Sequence, residues 1–209
     1  MDNARLYMAS EQHNVKGAGR PIQYDRDAAL EAAAVLFYEK GFKDTSVQDV
    51  VAATGMQTGS VYAAFGSKLS LFLECLERDL EEMRTNVEHF LHDECDPIEG
   101  LIGFAAPEVE RGGRPCFAMR ALVDFPERDS EVWVRISEAW SHRGKAICKA
   151  IARGQAAGQV RDDLAPAQIE KRLIAHMVGA RFLLQYICEP GECTHLQSRE
   201  ALLDYLRPR

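Results

Sequence analysis

The sequence predicts an all-α protein, and three observations carry that prediction. Apolar residues recur at three- and four-residue spacing through most of the chain, and no segment shows the two-residue alternation of a strand. Residues 45–68, TSVQDVVAATGMQTGSVYAAFGSK, read as two short helices joined by a glycine turn. Such a pair is a helix-turn-helix, and it points to DNA.

In chain order, residues 1–22 lack helical periodicity and end on Lys16-Gly17-Ala18-Gly19-Arg20-Pro21, a flexible basic arm. Between residues 25 and 40, Ala29, Ala33, Leu36 and Phe37 define an amphipathic helix, capped by Asp25 and closed by Gly41. Thr45 and Gln48 have capping-box spacing, which predicts a helix from about Ser46. Its inner face is Val47, Val50, Val51 and Thr54, and Gly55 supplies a residue on which it can end. Beyond the turn, Met56 and Val61 pack back on the first helix. Gln57, Thr58, Ser60 and Tyr62 are left on the other face, where hydrogen-bonding side chains suit a DNA groove. A pattern through Leu69, Phe72, Leu73, Leu76, Leu80, Met83, Val87 and Phe90 then reads as one connecting helix of about seven turns, up to Asp96-Pro97. Further helices are expected over residues 97–110, 115–125, 130–157, 166–188 and 195–206.

The order Thr45-Ser46-Val47, Asp49-Val50, Gly55-Met56, Gly59-Ser60-Val61-Tyr62, Phe65 and Ser67-Lys68-Leu69 resembles the tetracycline-repressor (TetR) family of bacterial regulators, over residues 25–73. One departure is Val51, where the family usually has alanine at the contact between the two helices. The resemblance implies an arm (1–22), a helix-turn-helix domain (23–69) and an effector-binding and dimerisation domain (70–209). It implies double-stranded DNA as a partner, with Gln57, Thr58, Gly59 and Ser60 at base edges or close backbone approach. Thr45, Ser46, Tyr62 and Lys68 would meet phosphates, and Arg20 the minor groove. It further implies a homodimer whose last two helices form a four-helix bundle, reading a palindrome.

The 166–188 segment is apolar on several sides, so it needs partners on several sides. Leu173, Met177, Gly179, Ala180 and Leu184, with Leu202 of the last helix, are the expected dimer contacts. In the middle of the chain, Trp133 and Trp140 stand seven residues apart on one helical face, with Phe104, Phe117, Met119, Phe125 and Met177 as further apolar wall. The family encloses an effector pocket there, so Phe104, Cys116, Phe117, Arg120, Trp133, Trp140 and Met177 are the pocket candidates. Arg114, His142 and His176 are further polar candidates. Cys116 sits at an expected helix start beside Arg114, an electropositive setting for a reactive thiol.

Composition bounds these readings. The chain has 209 residues, 46% hydrophobic, enough for a core. No apolar run reaches the roughly 18 residues that span a bilayer, and the start carries no signal-peptide core, so a cytoplasmic protein without membrane contact is expected. The net charge is −7, and residues 1–68 hold seven Lys/Arg against eight Asp/Glu. Binding to DNA would therefore depend on a few placed donors and on dimerisation, not on bulk attraction to phosphate. Six cysteines without a CxxC pair argue for reduced thiols. His89, His92 and Cys95 fall on successive turns of the expected connecting helix but do not make a closed ligand set, so neither a metal nor a cofactor is expected. Nothing assembles a nucleophile, base and orienter, so an enzyme is not expected. The chain reads as a DNA-binding repressor released by a small-molecule effector. The alternatives are an electrophile or redox sensor acting through Cys116, and a ligand-independent DNA-bound scaffold that recruits another protein.

Overall fold

A computed structural model describes residues 25–110, 116–189, 192 and 194–208. Among them are nine α-helices, one 3-10 turn and no strand, as the periodicity predicts. Helix α1 (Arg26–Lys40) starts on Asp25, whose carboxylate accepts the amides of Asp27 and Ala28, and it ends on Gly41 at φ 84°. Helix α2 is Val47–Thr54 and α3 is Thr58–Phe65. The turn between them opens on Gly55, whose φ of 69° is the left-handed conformation that favours glycine. The capping box lies one residue later than the spacing suggested. Ser46 Oγ accepts the Asp49 amide, and Asp49 accepts the Ser46 amide in return. Thr45 is turned inward, so its hydroxyl is not available to cap.

The connecting helix α4 (Lys68–Phe90) is 23 residues long and starts on Ser67, which accepts the amide of Ser70. It stops before His92 and Cys95, which therefore do not share its turns with His89. Instead Cys95 Sγ lies 2.8 Å from His92 Nε2 in the following loop. Helices α5 (Pro97–Glu110), α6 (Phe117–Asp124), α7 (Glu131–Ala156) and α8 (Pro166–Tyr186) follow, then a 3-10 turn (Thr194–Gln197) and α9 (Arg199–Leu206). Of the cysteines, 75, 95, 116 and 148 are free thiols, whereas Cys188 is disulfide-bonded. That corrects the expectation of uniformly reduced thiols.

Two apolar cores are joined by α4 and α7. The first takes Leu30, Phe37, Val50, Met56, Val61 and Phe65 from α1–α3 and continues without a break through Phe72, Leu76, Phe117, Val132 and Ile136. The second joins the far end of α4 to α5, α7, α8 and α9, with Phe104, Ile147, Ile151, Leu173 and Leu202 fully buried. The first core thus crosses the expected domain boundary at residue 69. At that crossing Phe37, Phe42, Phe72, Phe117 and Phe125 pack ring to ring, with centroids 5.0 to 6.2 Å apart. Edge and tilted contacts at these distances are the arrangements aromatic pairs favour.

Candidate nucleic-acid interface

Helix α3 presents the surface. Val61 and Phe65 anchor it inward, while Gln57, Thr58, Gly59 and Tyr62 are exposed and Ser60 is half-buried. Its N-terminus has no side-chain cap: Gln57 holds the cap position, and its carbonyl accepts the amides of Ser60 and Val61. The first amides of the helix therefore point outward, as an anion or a base edge requires. No heavy atom lies within 4 Å of where a Cβ of Gly59 would stand, so the chain itself leaves that backbone approachable. Tyr62, 49% exposed, projects from the next turn. Ser46, at the start of α2, is exposed but shares its hydroxyl with Asp49 at 2.6 Å.

One expected phosphate contact needs correction, and a second, Lys68, has a structural task as well. Thr45 is 1% exposed, and its hydroxyl donates to the Gly41 carbonyl at 2.6 Å. It closes the turn after α1 and has no surface to offer DNA. Lys68 is half-buried, and its ammonium donates to the carbonyls of Phe42 and Thr45, both at 2.8 Å, while lying 4.3 Å from the centre of the Phe42 ring. Its first task is to pin the α1–α2 turn onto the start of α4. An ammonium has three N–H groups, so one donor remains beyond these two carbonyls. Arg20 and Arg114 lie outside the described residues.

A cavity of about 520 Å³ opens between α6 and α8 over α7, and Tyr38 of α1 also borders it. Of the pocket candidates, Cys116, Arg120, Trp140 and Met177 line it. Phe104, Phe117 and Trp133 do not, and each has a packing reason. Phe104 is buried in the second core, Phe117 stacks on Phe72 at 5.0 Å, and Trp133 lies beneath the Arg128 guanidinium at 5.2 Å. His142 lies outside the lining too, and His176 is directed to the Leu196 carbonyl and the Tyr205 ring. The sequence reading missed the α8 wall, Glu170, Lys171, Ile174, Val178, Arg181 and Phe182, together with Arg143 of α7. Their spacing along α8 was the available signal, hidden because that helix is apolar on several faces.

The same helix carries an open apolar face. Val178, Phe182, Leu183 and Ile187 are 44%, 56%, 38% and 63% exposed, and of these Val178 and Phe182 already border the cavity, whereas Leu183 and Ile187 do not. Of the expected dimer contacts, Leu173, Met177, Ala180 and Leu202 are buried within the protomer, and Leu184 packs against the second core. Those five hold the protomer's own bundle together. Gly179 alone stays on open ground, with nothing near its Cβ direction.

Comparison with known proteins decides the lineage. Residues 29–75 match the model of bacterial regulatory proteins of the tetR family, and residues 98–196 match that of the tetracyclin repressor-like C-terminal domain. The HTH-type transcriptional repressor ComR of Escherichia coli strain K12 is 39% identical over 154 residues, covering 69% of this chain and 72% of its own. The chain belongs to the tetR family. It is a helix-turn-helix DNA-binding transcriptional regulator of the repressor type and not an enzyme. Among solved structures, a cysteine mutant of the TetR-family regulator CifR, complexed with a 26-base-pair operator duplex, superposes with a TM-score of 0.70. It is 24% identical and covers 89% of this chain and 98% of its own. AibR in complex with isovaleryl coenzyme A and operator DNA superposes with a TM-score of 0.66 at 16% identity, covering 82% and 92%. At these identities the two structures establish the shared fold.

Among the described residues, no helix is long and apolar enough to cross a membrane, and no group of three or more His, Cys, Asp or Glu is placed to hold a metal ion.

Proposed function

We propose that this family member acts in the cytoplasm as a homodimeric repressor of a palindromic operator and is released when a small molecule fills the α6–α8 cavity. The single observation that carries the reading is the placement of that cavity. It is walled by the effector-domain helices and also by Tyr38 of α1, the helix that backs the helix-turn-helix. A ligand there touches the DNA-reading unit directly.

On the DNA side, Gln57, Thr58, Gly59 and Ser60 serve base edges, and Tyr62, Ser46 and the remaining Lys68 donor serve phosphate, with Arg20 assigned to the minor groove. Two copies joined through the open face of α8 would present two α3 helices to half-sites one helical turn, about 34 Å, or a multiple of it apart. Selecting duplexes from a random pool tests this. A palindrome bound by two protomers is expected, and recovery of a single half-site bound by one protomer would overturn it.

Cys116 supports a second route to the same cavity. It caps α6 without a side-chain hydrogen bond to the helix and lines the cavity wall, so a thiol-reactive effector would enter by the same door. Under that route electrophiles release DNA from the wild type and fail on Cys116→Ser. Release of both proteins alike would dismiss it.

A further inference from the structure

The charge of the cavity runs against the charge of the protein. The chain carries a net −7, yet the lining holds Arg120, Arg143, Arg181 and Lys171 against one acidic residue, Glu170. Glu170, 4% exposed, is paired with Lys171 at 3.0 Å, and Arg120 faces Asp124, which lies outside the lining. Around them the wall is apolar, with Trp140, Met119, Val123, Ile174, Met177 and Phe182.

Arg120 is the arginine best placed to matter. Its Nε is buried without a hydrogen bond, 3.5 Å from Asp124 Oδ2, an ion-pair distance with imperfect alignment. Burying a polar donor unsatisfied costs free energy that a ligand acceptor would recover. The guanidinium also lies against the backbone of Gly41, where any Cβ would overlap it. Asp124 in turn accepts the Phe42 amide at 2.8 Å, and Phe42 belongs to the turn that Lys68 pins.

We propose that the effector is an organic anion with an apolar body, that Arg120 takes its anionic group, and that this draws Arg120 off Asp124 and Gly41 and so loosens the α1–α2 turn. The inference rests on the reading of the cavity as the effector site and adds the ligand's class and the residue that senses it. Planar guanidinium matches carboxylate and phosphate oxygens two at a time, and the aromatic and aliphatic wall takes the remainder. Loosening the turn moves the start of α2 relative to α4, and with it α3.

Calorimetry on the full-length protein with naphthalene-2-carboxylate, decanoate and phenyl phosphate, each beside a neutral or cationic counterpart of the same body, tests the class. The selected duplex reports release. The anions are expected to bind about tenfold or more tightly than their amides or amines and to weaken operator binding, whereas inorganic phosphate alone does neither. Arg120→Gln should abolish the discrimination, and Arg120→Lys, which keeps the charge, should restore part of it. Asp124→Asn still accepts the Phe42 amide but no longer holds Arg120 by charge. It should bind the anions at least as well as wild type while weakening operator binding less on their addition. Equal binding of neutral or cationic counterparts would overturn the anion assignment and leave effector release standing. No binding by any member, with operator affinity untouched, would overturn both. Wild-type discrimination and release in a folded Arg120→Gln protein would overturn the role of Arg120.

Discussion

Tyr62 and Lys68 read alike in the sequence, as two polar side chains near a phosphate, but the structure gives them different work. Tyr62 is 49% exposed on α3, so Tyr62→Phe should weaken binding to every duplex while leaving the melting temperature unchanged. Lys68 bridges two carbonyls. Lys68→Ala strands both of them in a half-buried turn, a loss of about 1–3 kcal/mol, so melting temperature and operator affinity should fall together. Thermal melts beside salt-dependent binding isotherms separate the cases, and a Lys68→Ala protein as stable as wild type would dismiss the clamp. Spacing could not reveal this difference, because one lysine position serves a phosphate or a carbonyl equally well until the fold of residues 41–45 is known. Thr45 shows the same ambiguity, since its hydroxyl closes a turn where the pattern offered a cap.

Two helices carry predictions of their own. At the start of α2, hydrogen bonds from Lys40 and then Ser46 hold the Asp49 carboxyl well below its ordinary range. A carboxyl depressed in the folded state contributes stability that is complete above the unfolded pKa of about 3.9 and fades as pH falls through the folded value. Asp49→Asn should therefore narrow its stability deficit as acid is added, and a deficit constant from pH 7 to pH 3 would show that the cap contributes nothing through charge. Along α8, Leu183 and Ile187 are exposed beyond the cavity wall and ask for cover. Gly179→Glu places a carboxylate on that face without disturbing the protomer, because nothing occupies the space. Sedimentation should show a dimer for the wild type and a folded monomer for Gly179→Glu, since an unpaired buried carboxylate costs several kcal/mol. A folded monomeric wild type would end the dimer proposal. Several helix ends were legible from periodicity and from the punctuation of Gly41, Gly55 and Pro166, but α4 ends at Phe90, short of the expected break at Pro97. The direction each face of α8 looks was not legible. Leu173, Met177 and Ala180 are as apolar as Val178 and Phe182, and only the placement of α5, α7 and α9 decides which set is buried within the protomer.

At the scale of the whole molecule, the continuous first core makes the DNA-reading helices and the effector helices one mechanical body. The family resemblance implied a boundary at residue 69, yet Phe72 of α4 packs on Phe37 of α1 and on Phe117 of α6 within 5.2 Å. Aromatic contacts between distant segments leave no trace in local periodicity, which is why this joint was illegible. Phe117 lines neither the cavity nor the exposed face of α3, and it is 5% exposed. Phe117→Ala should cost about 3–5 kcal/mol through lost burial and the cavity left behind. If the core is one cooperative unit, that cost appears equally in all the helices that share it. Hydrogen exchange should then show protection falling by the same factor in α1–α3 as in α6, and operator affinity should weaken although no DNA contact is touched. Protection in α1–α3 that stays at the wild-type level, with α6 alone loosened, would mean that the reading unit folds by itself. An effector signal would then have to reach it by way of the Arg120–Asp124–Phe42 contact without help from the core.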